Sequence, residues 1–235
     1  LFQYRFKNGS LQGHSFGNLF ITAMSEVSGD FSKAIEKSSE ILAIRGKVLP
    51  SSIDDVTLCA RLKNKKIIKG EKNISQSKDE IDSIFIQPSS VSPLPETIQA
   101  IQEADAIILG PGSLYTSIIC NLLVENIPET ICASSAFKIY ICNVMTQPGE
   151  TDNYSSSEHL KEVIRYLRSN CIDYVLLNSK TLSKEVAKKY HKEKAYEVED
   201  DLNQKFDQKT KIIRQELLSE HNFARHNPAK IASLI

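Results

Sequence analysis

The sequence has no charge excess. Its 29 lysines and arginines balance 29 aspartates and glutamates, so no overall field draws the chain to nucleic acid or to an anionic membrane surface. No apolar run approaches the roughly 20 residues that span a bilayer, and no signal peptide is recognisable. The five cysteines, Cys59, Cys120, Cys132, Cys142 and Cys171, have no close metal-ligand spacing and no histidine partner nearby in sequence. Such an odd, scattered set reads as reduced thiols in a cytoplasmic protein, with no metal cluster. There is no Walker loop, no dinucleotide fingerprint, no Gly-x-Ser-x-Gly elbow and no internal repeat. The first residue is Leu1 rather than methionine, which leads us to expect an N-terminal portion upstream of this sequence.

What is there suits one α/β domain over residues 1–235, long enough to bury a sizeable core. The stretch Ala104–Asn121 organises the rest. Ala106–Leu109 reads as a strand buried on both faces of a parallel sheet. Gly110-Pro111-Gly112-Ser113 breaks the pattern, and Leu114–Val124 has helical spacing with Ser113 placed to cap it. A glycine turn that opens a capped helix is either a tight connection or an anion site, because free N–H groups and the helix dipole favour negative charge there.

Upstream, Leu19 to Val27 predicts a helix ending near Gly29. Asp30 caps a second helix with the apolar face Phe31, Ala34, Ile35, Ile41, Leu42 and Ile44. Asp55–Leu62 and Ile67-Ile68 predict a hairpin, Ile84–Ile86 a strand, Gln87–Pro95 a loop and Glu96–Glu103 a helix. Downstream, Lys138–Cys142 and Ile172–Leu177 predict strands flanking the helix Glu158–Leu167. This alternation predicts a Rossmann-like, doubly wound and mostly parallel sheet with a β-hairpin excursion. Residues 181–235 read as a helical C-terminal extension packed on it, with Pro228 in the first turn of a last helix.

Ligands of such sheets bind beyond the carboxyl ends of the strands. There the chain places Gly110, Gly112 and Ser113, the loop residues Asn143, Thr146, Gln147, Glu150 and Thr151, and Asn178. These side chains can hydrogen-bond a sugar, a ribose or a base edge, and Glu150 or Asp152 can hold a metal through oxygen; equally, they can cap turns and close the loop. His14 and Asn18 are one helical turn apart and can face one pocket.

Five blocks then resemble a known family: Gly13–Asn18, Arg45–Pro50, Asp54–Leu58, Leu109–Ser117 and Cys142–Asp152, the last reading Cys-Asn-Val-Met-Thr-Gln-Pro-Gly-Glu-Thr-Asp. They are similar to the signature blocks of the bacterial gluconeogenesis factor (YvcK) family, within the wider CofD-like group whose namesake is a 2-phospho-lactate transferase. The resemblance implies a Rossmann-like cytoplasmic protein that binds UDP-type nucleotide-sugars and acts in carbon-source-dependent cell shape and wall synthesis. It implies a ligand site that adds Tyr115 and Thr116 to the residues above. It also implies partners among cell-wall synthesis or regulatory proteins, and a homo-oligomer is compatible with it. The alternative it carries is a transferase in which Gly112 and Ser113 hold phosphate, Mg²⁺ offsets charge, and His14 or Asn18 positions the acceptor. A non-catalytic binder is the reading we favour. The family's Gly-Gly-Gly-Thr-Gly loop and Asp-Asp-Gly-Gly-Ser-Ser-Gly segment do not occur in these 235 residues.

Overall fold

The computed structural model describes residues 4–41, 46–77, 79–203, 209–219 and 223–235. Leu42, Ile44 and Arg45, named above, lie outside them. The chain forms two compact units: residues up to Ile53 with Leu94–Thr97, and Asp54–Pro93 with Ile98–Ile235.

In the first unit, α1 (Phe16–Ser28) starts where the Ser15 side chain accepts from the Asn18 N–H, and stops at Gly29, whose left-handed φ of 66° lets its N–H reach the Ser25 carbonyl. α2 (Phe31–Ile41) follows. Asp30 caps it as expected, accepting from the Lys33 N–H at 2.9 Å.

The second unit has two sheets. In the smaller, β1 (Thr57–Leu62) lies between β2 (Ile67–Lys69) and β3 (Ile81–Gln87), antiparallel to both. Lys65 takes a left-handed φ of 72° in the predicted hairpin turn. α3 (Glu71–Ser75) connects β2 to β3. After α4 (Pro95–Glu103) the larger sheet runs β4 (Ala106–Leu109), β5 (Phe137–Ile141), β6 (Tyr174–Asn178) and β7 (Lys211–Gln215), in that order and all parallel. α5 (Ile127–Ala133) leads into β5, α6 (Ser156–Leu167) joins β5 to β6, and α7 (Lys184–Lys192) precedes β7. α8 (Pro228–Ala232) has Pro in its first turn and Asn227 as its cap.

Alternation along the parallel strands divides the core, as a period of two requires. Tyr140, Cys142, Val175 and Leu177 face one cluster with Leu160 and Val163 of α6, whereas Ile139, Ile141 and Leu176 face another with Leu217 and Ile231. Both faces are therefore covered, as a doubly wound sheet demands.

Four expectations change. β4 is not buried on both faces: only Leu109 is buried and Ile108 is 41% exposed, because β4 pairs only with β5 among the described strands. The helix expected over Leu114–Val124 is a π-helical turn, Leu114–Ile118, followed by a 3₁₀ segment, Ile119–Leu123. The helical reading of residues 181–235 holds for α7 and α8 and stops at β7, where Ile212-Ile213 sit between charged neighbours that an edge strand tolerates. Finally, Cys132 and Cys171 are joined in a disulfide, with Cα atoms 5.4 Å apart, leaving Cys59, Cys120 and Cys142 as thiols. A separation of 39 residues gave no local sign of that pairing.

Gly110 has a φ of +98°, and a Cβ there would lie 3.0 Å from the Ile141 carbonyl oxygen and 3.3 Å from Ile118 Cδ1. A backbone atom cannot give way as a side chain can, so Gly110→Ala is expected to lower the unfolding free energy by about 1–3 kcal/mol, measured as a shift in the urea midpoint.

Candidate functional site

The site is built where β4 and β5 end. Past Leu109 the chain turns through Gly110, and the Gly110–Pro111 peptide bond is cis. Gly112 then packs so closely that a Cβ would meet Ser117 Cβ at 3.1 Å. The Ser113 carbonyl accepts from both the Ser117 and the Ile118 N–H at 3.0 Å. The second of these bonds spans five residues, which is what widens the turn from α to π.

Ser113 is not a cap. Its hydroxyl oxygen accepts from Gln147 Nε2 at 2.9 Å, which fastens the loop after β4 to the loop after β5. Among the described residues the main-chain N–H groups of Gly112 and Ser113 have no acceptor.

A carboxylate of the protein itself stands at the start of the π turn. Glu150, 4% exposed, sends its carboxylate there. Its Oε1 accepts from Ser75 Oγ and from Thr116 Oγ1, each at 3.2 Å. Burial pushes the Glu150 pKa up, and those hydroxyls together with the N–H groups of Tyr115 and Thr116 act against the rise. Its Oε2 is buried with no hydrogen-bond partner.

Other predicted site residues hydrogen-bond within the protein. Thr146 Oγ1 accepts from the Tyr196 N–H at 2.9 Å, and the Thr146 N–H donates to the Tyr196 carbonyl at 2.7 Å. Thr151 Oγ1 accepts from the Gln147 N–H at 2.9 Å. Tyr115 is fully buried, its hydroxyl 2.9 Å from that of Tyr154 and donating to Glu162 Oε2 at 3.3 Å; burial, then Tyr154, pushes its pKa up. Gly110, Gly112, Ser113, Thr116, Asn143 and Gln147 are partly exposed, and the structure does bring their loops together at one sheet edge.

His14 and Asn18 belong to the first unit. Because α1 begins at Phe16 with Ser15 as its cap, His14 lies outside the helix, and the expected one-turn pairing does not arise.

Three contributors escaped the sequence reading. Ser75 reaches Glu150 from α3. His226, brought in from the tail, is held at the end of β5: burial lowers its pKa, a hydrogen bond to the Cys142 main chain works against this, and Nε2 is buried without a partner. Asp201 accepts from Ser157 N (2.8 Å), Ser157 Oγ (2.7 Å), Ser156 Oγ (3.0 Å) and Ser155 Oγ (2.8 Å) at the start of α6. Local spacing could signal none of them, since each acts across dozens of residues.

A Mg²⁺ ion is not well provided for by these residues. Each carboxylate of the loop is engaged through one oxygen, Glu150 Oε1 as above and Asp152 Oδ2 by the Gly149 N–H at 2.6 Å. Among the described residues no three His, Cys, Asp or Glu side chains gather as ligands.

A parallel sheet covered on both faces, with polar loops gathered at its carboxyl edge, defines a Rossmann-like α/β protein. The sequence profile of the family described as 2-phospho-L-lactate transferase CofD matches residues 1–218. The gluconeogenesis factor of Bacillus subtilis is 43% identical over the whole chain and 75% of its own length, and that of Halalkalibacterium halodurans 41% identical over the whole chain and 74% of its own. A crystal structure of a UPF0052-family protein from Bacillus halodurans superposes with a TM-score of 0.92 at 41% identity, covering all of this chain and 76% of that one. The chain belongs to the gluconeogenesis factor family within the CofD group. It spans about half, 53%, of the length of a 43% identical relative from Clostridium acetobutylicum. No helix among the described residues is long and apolar enough to cross a membrane.

Asp201 supplies a pH test. Burial opposes its ionisation, hydrogen bonds from Ser157, Ser155 and Ser156 outweigh that, and its pKa falls to about 2. A depressed folded-state pKa stabilises the protein above the unfolded value near 3.9, and the contribution is lost as pH falls from about 4 toward 2. Asp201→Asn is expected to be less stable at pH 7, and the gap to wild type to close across that window in urea titrations at successive pH values.

Proposed function

We propose that the carboxyl edge of the parallel sheet binds a nucleotide-linked sugar of the UDP type, and that the protein is a non-catalytic regulator of cell shape and wall synthesis during growth on gluconeogenic carbon sources. The observation that carries this reading is the Ser113–Gln147 hydrogen bond, which fixes two loops so that the Gly112 and Ser113 N–H groups stand together without acceptors. Adjacent main-chain N–H groups form a concavity suited to phosphate oxygens. Thr116, Asn143 and Gln147 add side-chain donors and acceptors around it, whereas Glu150 and Thr151 support it from beneath. The loop carboxylates at this edge are engaged by the protein itself: Glu150 accepts from Ser75 of α3 and Thr116 of the π turn, and Asp152 from the Gly149 N–H of its own loop. That favours affinity over turnover. Cell-wall synthesis or regulatory proteins would then read the bound state, and the protein would work in the cytoplasm, alone or as a homo-oligomer.

A transferase acting on a nucleotide diphosphate-linked donor is the second reading, supported by the description of the matching family profile. Calorimetry with UDP-glucose and UDP-N-acetylglucosamine, with and without Mg²⁺, alongside product analysis by mass spectrometry, separates the two. Binding without product is expected, and product formation would overturn the regulator reading in favour of the transferase. Ser113→Ala is expected to weaken binding by about 1 kcal/mol, the scale of one hydrogen bond. Gly112→Val should cost more, because it fills the cradle and strikes Ser117. Unchanged affinity in both variants would mean that the phosphates bind elsewhere.

A further inference from the structure

Away from the carboxyl edge, a groove of about 370 Å³ runs beside β3. α6 begins at the carboxyl edge, where Ser155 caps it, and the groove is lined by Arg165 and Tyr166 of its last turn and by Arg168 just beyond. From Ser155 to Arg165 the helix rises about 15 Å. The groove is therefore a separate place from the cradle of Gly112 and Ser113.

β3 is an edge strand, paired with β1 and with no other described strand. Register decides which of its main-chain groups point outward. Ile86 stands opposite Leu58, whose carbonyl accepts from the Gly70 N–H at 2.8 Å on the β2 side of β1. In an antiparallel ladder such a pair exchanges no hydrogen bonds, so the Ile86 N–H and C=O point away from β1. Two residues earlier the same side of β3 is closed: the Tyr166 hydroxyl accepts from the Ile84 N–H at 2.8 Å and lies 3.4 Å from the Ile84 carbonyl oxygen, to which it donates. Tyr166 does for Ile84 what a neighbouring strand would do. Among the described residues no group does so for Ile86.

An open donor and acceptor on an edge strand recruit other strands, and proteins commonly cover them. Here the edge is covered at Ile84 and left open at Ile86, which itself lines the groove. The walls state what the groove would accept. Leu122 and Leu123 make it apolar on one side, and the only charged side chains that line it among the described residues are the two arginines. Arg165 uses Nη1 alone, for Glu162 and the Asp82 carbonyl, and Arg168 uses Nη1 alone, for Glu129. A guanidinium has five N–H donors, so each arginine keeps donors for a further carboxylate.

We propose that the open edge of β3 binds an extended, acidic segment of a partner protein, which adds as a strand at Ile86 and places a carboxylate on Arg165 and Arg168. In this mode main-chain hydrogen bonds supply affinity and the side-chain surroundings supply selectivity. The proposal is independent of the nucleotide-sugar reading, because the groove shares no residue with that site.

The test is fluorescence polarisation with three labelled, end-blocked decapeptides: alternating valine and glutamate, alternating valine and lysine, and the valine–glutamate peptide N-methylated at every residue, which keeps its charge and loses its main-chain donors. Wild type is expected to bind the first at least tenfold more tightly than either of the others. That peptide should also slow hydrogen exchange of the Ile86 amide at least tenfold, measured by NMR. The double variant Arg165→Gln, Arg168→Gln, its fold checked by the urea midpoint, should bring the valine–glutamate and valine–lysine affinities within threefold of each other. Equal binding of the two charges by wild type, undiminished binding of the N-methylated peptide, an unchanged Ile86 exchange rate or no binding of any peptide would each overturn the proposal. Sedimentation supplies a further check: a dimer that the double variant breaks and the valine–glutamate peptide does not would assign the groove to a second copy of the chain instead. The wild-type peptide comparison and the Ile86 exchange stand even if the double variant does not fold.

Discussion

One buried carboxylate ties the site together. Glu150 leaves the loop after β5 and enters the start of the π turn after β4, where hydroxyls from two other elements, Ser75 of α3 and Thr116 of the turn, meet its Oε1. Three segments that share no sequence neighbourhood are thereby fixed to one point. A carboxylate taken out of water needs such partners, because an unpaired buried charge costs several kcal/mol. Here the partners are hydroxyls and main-chain N–H groups, with no counter-cation among the described residues, and the upward push on the Glu150 pKa records the residual cost. The geometry of Gly112, Ser113 and Gln147 depends on this anchor.

A second layer of constraint surrounds the first. The segment through Tyr196 and Val198 pairs with the β5 loop: Tyr196 exchanges two hydrogen bonds with Thr146, and the Val198 N–H donates to the Val144 carbonyl at 2.9 Å. It is pinned at its far end by Asp201, which gathers Ser155, Ser156 and Ser157 at the start of α6. Asp200 adds a charged tie to Arg214 on β7. Rigidity of this kind suits a recognition site, since a ligand then meets groups already in place and pays little ordering entropy. The polar-rich loop with the sequence Met-Thr-Gln-Pro-Gly-Glu-Thr-Asp is thus held by contacts of Thr146, Thr151, Glu150 and Asp152, and Gln147 ties it to Ser113.

Much of the fold was legible because its signals are local. The apolar run Ala106–Leu109 became β4 with those bounds, and Gly29 and Asp30 act at the helix ends where a left-handed backbone and a capping side chain are needed. The parallel order β4, β5, β6 followed from alternation of strand and helix. Features that depend on a partner distant in sequence were not legible. β7 is a strand only because Val175 and Leu176 offer Ile212 and Ile213 a ladder. Leu114–Val124 has helical periodicity, but the double acceptance by the Ser113 carbonyl and the packing of Gly112 on Ser117 turn it into π and 3₁₀ geometry.

The candidate site divides in the same way. The sequence by itself determined which residue types would stand at the carboxyl edge, because strand ends and glycine turns are set by local sterics and the order of elements. It could not assign those residues their tasks. Ser113, Thr146, Glu150 and Asn143 are all polar and all near strand ends, and nothing in their spacing says which will be satisfied by the protein itself. Tertiary structure decided that: Tyr196 satisfies Thr146, Ser75 and Thr116 satisfy one oxygen of Glu150, Gln147 satisfies Ser113, and no described group satisfies the Asn143 oxygen. Hydrogen-bond satisfaction is a property of three-dimensional neighbours, and at this sheet edge those neighbours arrive from α3, the Ala195–Asp201 segment and the C-terminal tail.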